Sequence, residues 1–417
     1  MAAGLLLTAF VLGKIGEKDV SEALTFGGRL AGATFVFSAA VELIAAIAAF
    51  DYLGKRRWIY SGAAVLIGVL IALALNTLLL YLQITAGEIT GHAWIWPTVL
   101  LWSFWALWKL NPRQVWRQSP HPKRVATGAV VAALVSVGNL VYSRVYTPYA
   151  TFVSMDIVVK FGKPQLNTEH TVLYLPMNVT AKNNGRVPLY ILGTLYEVYG
   201  RSANFTEKAR GMTEWKGDIL AGHDAERNAE IRGRELISFG AITKGDGGSW
   251  LDPGDSLAED KILSIPTNSQ FDSIEGSAQT MVMRKDRATL SSDYLASGGT
   301  ESWDDQLAHS ENAPEWVAIE PGDEYLRYQG RLYYSNEILN VTHRPRYVTL
   351  WWVTHKPSDR KSEEDTYLTA TISLKGEEGR ELSAGDTDEI SESYGLLQIS
   401  TGEARESFEA LVNPPTE

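Results

Sequence analysis

Glu42 stands near the middle of an apolar run, SAAVELIAAI. A carboxylate at mid-bilayer costs about 3 kcal/mol or more unless it is paired, hydrated or protonated. Such a residue would line a pore, accept a proton or hold a cation. Asn76 and Asn139 also fall inside apolar runs, where amides join helices, and either would partner a protonated Glu42. A second group is Asp246, Asp252, Asp255, Glu259 and Asp260, crowded into one loop region. Oxygen donors on loops suit Ca²⁺, but these do not match the EF-hand loop, and acidic turn residues in water are the plainer reading. A third group is aromatic: Trp351 and Trp352 are adjacent, with Tyr325, Tyr328, Tyr333 and Tyr334 on a neighbouring run. Neighbours in a strand point to opposite faces, so one Trp belongs to the core and the other to a candidate binding face with Tyr333 and Tyr334.

Catalytic patterns are missing. The chain has no P-loop, no G-x-G-x-x-G after a strand, no G-x-S-x-G and no H-E-x-x-H. Its seven histidines, His92, His121, His170, His223, His309, His343 and His355, do not pair at ligand spacing, so no zinc site is expected. Asp304-Asp305 and Glu363-Glu364-Asp365 read as solvated acids rather than acid–base pairs. There is no cysteine, which excludes disulfides, thiolate sites and a Cys nucleophile. The expectation is a protein that is not an enzyme and holds no metal.

The charge divides sharply. Residues 1–149 carry 12 Lys and Arg against 6 Asp and Glu, a net +6; residues 150–417 carry 26 against 43, a net −17. So acidic a region is a poor nucleic-acid binder, which needs a basic footprint. It suits a solvated surface, a cation or a basic partner.

Four apolar runs would position Glu42: 30–53, 58–84, 94–110 and 125–142. Each is long enough to cross about 30 Å of hydrocarbon as a helix, the third only just. A further run at 2–13 is short for a span and is followed by charges, so it reads as an interfacial or half-buried helix. The loop after the first run holds Lys55, Arg56 and Arg57, and the loop after the third holds Arg113, Arg117, Lys123 and Arg124; TAGEITGH between them holds no Lys or Arg. The charge rule therefore places residues 150–417 outside the cytoplasm. Trp58, Trp94, Trp96 and Trp116 fall at run ends, as interfacial aromatics do. Trp102, Trp105 and Trp108 share one helix face and read as packing residues. Gly28 and Gly32 form a GxxxG pair, a weak sign of close helix contact.

Beyond residue 150 the pattern turns to strands. Residues 171–182 alternate, with Leu173, Leu175, Met177 and Val179 on one side. Asn183-Asn184-Gly185 follows, then VPLYILGTLYEVYG, rich in β-branched and aromatic residues. The spacing predicts a hairpin. Strand, turn and strand together resemble the opening of immunoglobulin-like β-sandwiches in surface proteins, without the Cys–Trp–Cys core. Further strands are expected at 151–160, 236–242, 257–266, 278–284, 325–335, 345–355 and 366–374, and a short helix at 225–236. Asp252-Pro253-Gly254-Asp255 and Pro321-Gly322-Asp323 repeat a turn before a strand.

The domain reading is an N-terminal apolar or amphipathic segment (1–29), a four-helix transmembrane domain (30–148), a β-sandwich (149–291) and a second β-rich domain with an acidic tail (292–417). One enlarged sandwich is the alternative. The expected function is a multi-pass membrane protein whose acidic extracytoplasmic region binds or senses a protein or envelope partner. The alternative is an oligomeric channel-like effector with a Glu42-lined pore gated by the β region.

Overall fold

The structure is a computed structural model that describes residues 1–54, 58, 60–87, 89–110, 153–205, 207–220, 229–242, 249–294, 300–301, 314, 317, 324–354, 366–377 and 384–413. The helices are α1 (Ala2–Glu22), α2 (Phe26–Leu53), α3 (Ser61–Thr85), α4 (Ile95–Leu110), α5 (Met212–Leu220), α6 (Glu337–Thr342), α7 (Ala384–Tyr394) and α8 (Phe408–Val412). The strands begin with β1 (Met155–Phe161), β2 (Gln165–Leu166), β3 (Val172–Asn183), β4 (Leu189–Phe205), β5 (Ala229–Gly240), β6 (Trp250–Leu251), β7 (Ser256–Pro266) and β8 (Ser273–Arg284). They continue with β9 (Ala288–Leu290), β10 (Thr300–Glu301), β11 (Glu324–Tyr334), β12 (Arg346–Thr354), β13 (Tyr367–Leu374), β14 (Leu397–Ser400) and β15 (Ala404–Ser407).

The chain divides into two compact units. The helical unit takes residues 1–151 and two distant pieces, 286–289 and 332–346; the β unit takes 152–285, 290–331 and 347–417.

In the helical unit, α2 and α3 are long and apolar enough, by length and composition, to cross a membrane. With no water to serve the backbone there, a helix is what such residues must form. Thr25 starts α2 by accepting the Gly28 N–H at 3.0 Å. α4 spans 16 residues, and the fourth apolar run, 125–142, lies outside the described residues, as do Arg56, Arg117 and Trp116.

α1 runs past its apolar start, because its buried stripe continues at helical spacing through Leu5, Ala9, Leu12, Ile15 and Asp19. It packs antiparallel to α2, and the two cross where glycines meet. A Cβ on Gly16 would stand 2.7 Å from the Gly32 carbonyl oxygen, and one on Gly32 would stand 2.6 Å from Asp19 Cβ. Small residues are what allow backbones this close. Trp102 covers Gly4, while Trp105 and Trp108 are exposed. Trp96 corrects the sequence reading: it is buried among Leu12, Phe35, Leu79 and Ile338, since an indole packs as readily inside a bundle as at its rim.

In the β unit two antiparallel sheets share one core. One has the order β1-β3-β2 with β7 on the other side of β3. The other has the order β14-β8-β4-β5, with β15 beside β8 and β6 beside β4. Leu173, Leu175, Met177 and Val179 of β3 face Leu189, Val198, Ile274 and Val282 of the second sheet in that core. Pro176 is tolerated inside β3 because its edge toward β1 and β2 is where the chain turns, and the Gly162 N–H meets its carbonyl at 2.7 Å. A third sheet has the order β10-β11-β12-β13, with β9 beside β11.

Two expectations are overturned here. The Asn183 turn joins no hairpin: β3 and β4 lie in different sheets. Asn183 anchors this corner, donating to the Val187 and Leu251 carbonyls at 2.9 and 3.0 Å and accepting the Gly185 N–H at 3.0 Å. Residues 229–236 are strand, not helix, paired with β4 from Phe205↔Ala229 to Tyr199↔Leu236. The helix of this stretch is α5, further upstream.

Candidate functional site

The polar chemistry of the helical unit gathers at two buried acids, Asp19 in α1 and Glu42 in α2. Asp19 lies beyond the apolar part of α1 and outside α2 and α3. Its Oδ1 accepts the backbone N–H of Glu337, the first residue of α6. Burial pushes its carboxyl up to about 6, against the opposing pull of that amide, of the Ile338 amide and of the Lys18 charge.

α6 is held from several directions. Asn336 caps it, accepting the Leu339 N–H at 2.9 Å. Lys18 Nζ meets Glu337 Oε2 at 2.9 Å. The Leu24 N–H donates to the Ser335 carbonyl at 2.9 Å, and the Thr90 hydroxyl to the Val341 carbonyl at 3.3 Å and to Gln83 Oε1 at 2.8 Å. Ile338 is buried in the same apolar core as Leu12, Phe35 and Leu79. The connection between β11 and β12 is thus built into the helical unit.

Glu42 is 0 % exposed, and no ion pair to its carboxyl is found among the described residues. It lies on the face of α2 turned to Thr8 of α1 and Gly68 of α3. Thr8 gives its hydroxyl proton to the Gly4 and Leu5 carbonyls. Asn76 is buried and donates to the Ala72 carbonyl of its own helix at 2.6 Å, and Asn139 lies outside the described residues.

The β unit holds the acidic loop and the tryptophans. Asp246 lies outside the described residues. Asp255 accepts the Asp252 N–H at 3.3 Å, and Asp260 accepts from Asn178 Nδ2 at 2.8 Å across the β3–β7 ladder. Glu259 pairs with Val179 in that ladder. Asp252 acts on the Lys285 ammonium, whose Nζ stands 3.2 Å from the centre of the Trp250 ring. Among the described residues no group of three His, Cys, Asp or Glu is placed to hold a metal ion.

Trp351 is buried with Val317, Tyr325 and Val353, and Tyr367 closes the cluster by donating to the Val317 carbonyl. Trp352 is half-buried, edge-on to Phe239 at 6.4 Å. Tyr333 and Tyr334 belong to the helical unit, where Tyr334 donates to the Arg344 carbonyl at 3.0 Å.

Sequence reasoning missed Asp19 and α6. The signal for Asp19 was its place on the buried stripe of α1. α6 left no such sign, because a six-residue helix is too short for a periodic pattern.

No protein-family model matches the chain, and neither does any curated protein. Among solved structures it is similar to Spo0M, a sporulation control protein from Bacillus subtilis, at 11 % identity and a TM-score of 0.19, over 57 % of this chain and 95 % of that one. It is also similar to β-glucosidase 3B from Thermotoga neapolitana, at 19 % identity and a TM-score of 0.12, over 30 % of this chain and 14 % of that one. Likenesses of this size carry no argument about fold or function.

Proposed function

We propose that the chain is a multi-pass membrane protein with four spans, whose acidic, immunoglobulin-like β region lies outside the cytoplasm and binds or senses a protein or envelope partner. One observation carries the sensing part: residues 332–346, which join β11 to β12, are packed into the helical unit. A partner that shifts those strands would pull on α6 and, through it, on α1 and α3. The basic loops at 55–57 and 113–124 support the orientation, and the excess of acids after residue 150 favours a basic partner.

The absence of cysteine makes the test direct. Ile262 is 73 % exposed on β7, so Ile262→Cys creates one accessible thiol. A membrane-impermeant maleimide should label it in intact cells. Labelling only after the membrane is opened would place the β region inside and overturn the reading.

A second reading rests on Glu42. A fully buried acid with no cation beside it among the described residues fits a channel-like effector. Glu42 faces α1 and α3 of its own chain, so the conducting path would run among the helices of one chain. Glu42→Gln should then alter ion conductance in planar bilayers while insertion is unchanged; unchanged conductance removes this reading.

A further inference from the structure

We propose that Asp19 is a proton-operated latch that sets how firmly α6, and with it the β11–β12 connection, is held in the helical unit. This rests on the contacts of α6 within the helical unit and does not depend on what the β region binds.

The geometry is that of a carboxyl closed in from three sides. Asp19 is 1 % exposed. Its Cβ lies against Gly32 of α2, so a side chain there would displace it. Its Oδ1 takes the first amide of α6, and the next amide, of Ile338, also acts on the carboxylate. The charged groups around it are few. On α1, Lys18 is half-exposed and spends its ammonium on Glu337. From α6, Glu337 faces it with the same charge sign, held by Lys18 and by Asn340 Nδ2 at 3.0 Å. On α2, Arg29 turns its Nε to the Ala23 carbonyl at 3.0 Å. The anion therefore has two neighbouring amides, of Glu337 and Ile338, and one shared cation to offset the loss of water.

Burial outweighs these three, and the carboxyl is pushed up to about 6, above the ordinary carboxylate range. The sign follows from linkage. When α6 leaves, Asp19 returns to water and to its ordinary value, so the undocked state holds its proton less tightly. Protonation therefore favours the docked state. That contribution is full below the ordinary carboxylate range and is lost as the pH rises through about 6. Between pH 7 and pH 5 the docking equilibrium should tighten about tenfold. Acid at the membrane surface would lock the β11–β12 connection to the helices, and neutral pH would release it.

The test is amide hydrogen exchange of residues 337–342 in the full chain in lipid nanodiscs, at pH 5, 6 and 7, corrected for the intrinsic pH dependence of exchange. Asp19→Asn serves as the control, because it is neutral at every pH, keeps the acceptor oxygen and leaves Glu337 to titrate. The wild type should gain about tenfold more protection than Asp19→Asn between pH 7 and pH 5. Equal gains in the two proteins would overturn the latch. If Asp19→Asn does not fold, the wild type decides alone. An inflection near pH 6 in α6, absent from residues 207–211, supports the latch, and a flat corrected profile refutes it.

Discussion

Glu275 in β8 and Glu42 in α2 are both buried almost completely. In the β unit Glu275 lies between two guanidinium groups, with Arg201 Nε 3.1 Å from one oxygen and Arg405 Nε 3.2 Å from the other. In the helical unit Glu42 lies among Thr8, Gly68 and alanines, with no cation beside it among the described residues. The β unit, rich in charge, meets a buried acid with counter-ions. The helical unit has few charges to offer; α3 contains none. Asp19 falls between the two, with two amides and a shared lysine. The β unit has neutralised Glu275 with two guanidinium groups, and the helical unit has set no cation beside Glu42 among the described residues.

Three substitutions would break or sharpen this contrast. The largest effect is expected from Arg201→Ala, which leaves Glu275 with the half-exposed Arg405 alone. Removing one partner of a buried pair costs about 3 kcal/mol. Denaturant unfolding followed by far-ultraviolet circular dichroism should show the strand signal lost earlier while the helical signal holds. Loss of both together would mean that the units unfold as one.

Next is Gly32→Leu at the α1–α2 crossing. Overpacking of this kind costs about 1–3 kcal/mol, and here the clash falls on the Asp19 Cβ and the Val20 backbone nitrogen. The account predicts that α1 moves and that exchange at α6 quickens with it. Quickened exchange in α1 with α6 unchanged would show that Asp19 does not hold α6. The smallest is Asn336→Ala, which removes the cap of α6 at a cost of about 1 kcal/mol. It should loosen residues 337–342 and leave α2 and α3 as protected as before, again read by exchange.

The sequence made some of this legible, and the reasons differ by element. The alternation of Leu173, Leu175, Met177 and Val179 reports the buried face of β3, because a strand repeats every two residues. The runs that become α2 and α3 are legible because they are apolar all round. The Asn183-Asn184-Gly185 turn misled because a turn signature describes a local reversal; which sheet the next strand joins is decided by distant partners, here Leu251 and β8. Residues 229–236 carry good helix formers, and pairing with β4 overrides that weak preference. The link between α6 and Asp19 joins residues 318 apart in the chain, and no local pattern reports such a contact. Glu42 was legible at once, since a lone carboxylate stands out in an apolar run. What surrounds it was not.

The connection between β11 and β12 is a buried part of the helical unit. Ile338 is 1 % exposed in that unit's core, and Ile262 on β7 is open. With Ile338→Cys and Ile262→Cys as separate variants in lipid nanodiscs, a water-soluble maleimide should label position 262 within minutes and leave position 338 unreacted until the protein is denatured. Equal labelling at the two positions would show that α6 stands free of the helices and would contradict the account.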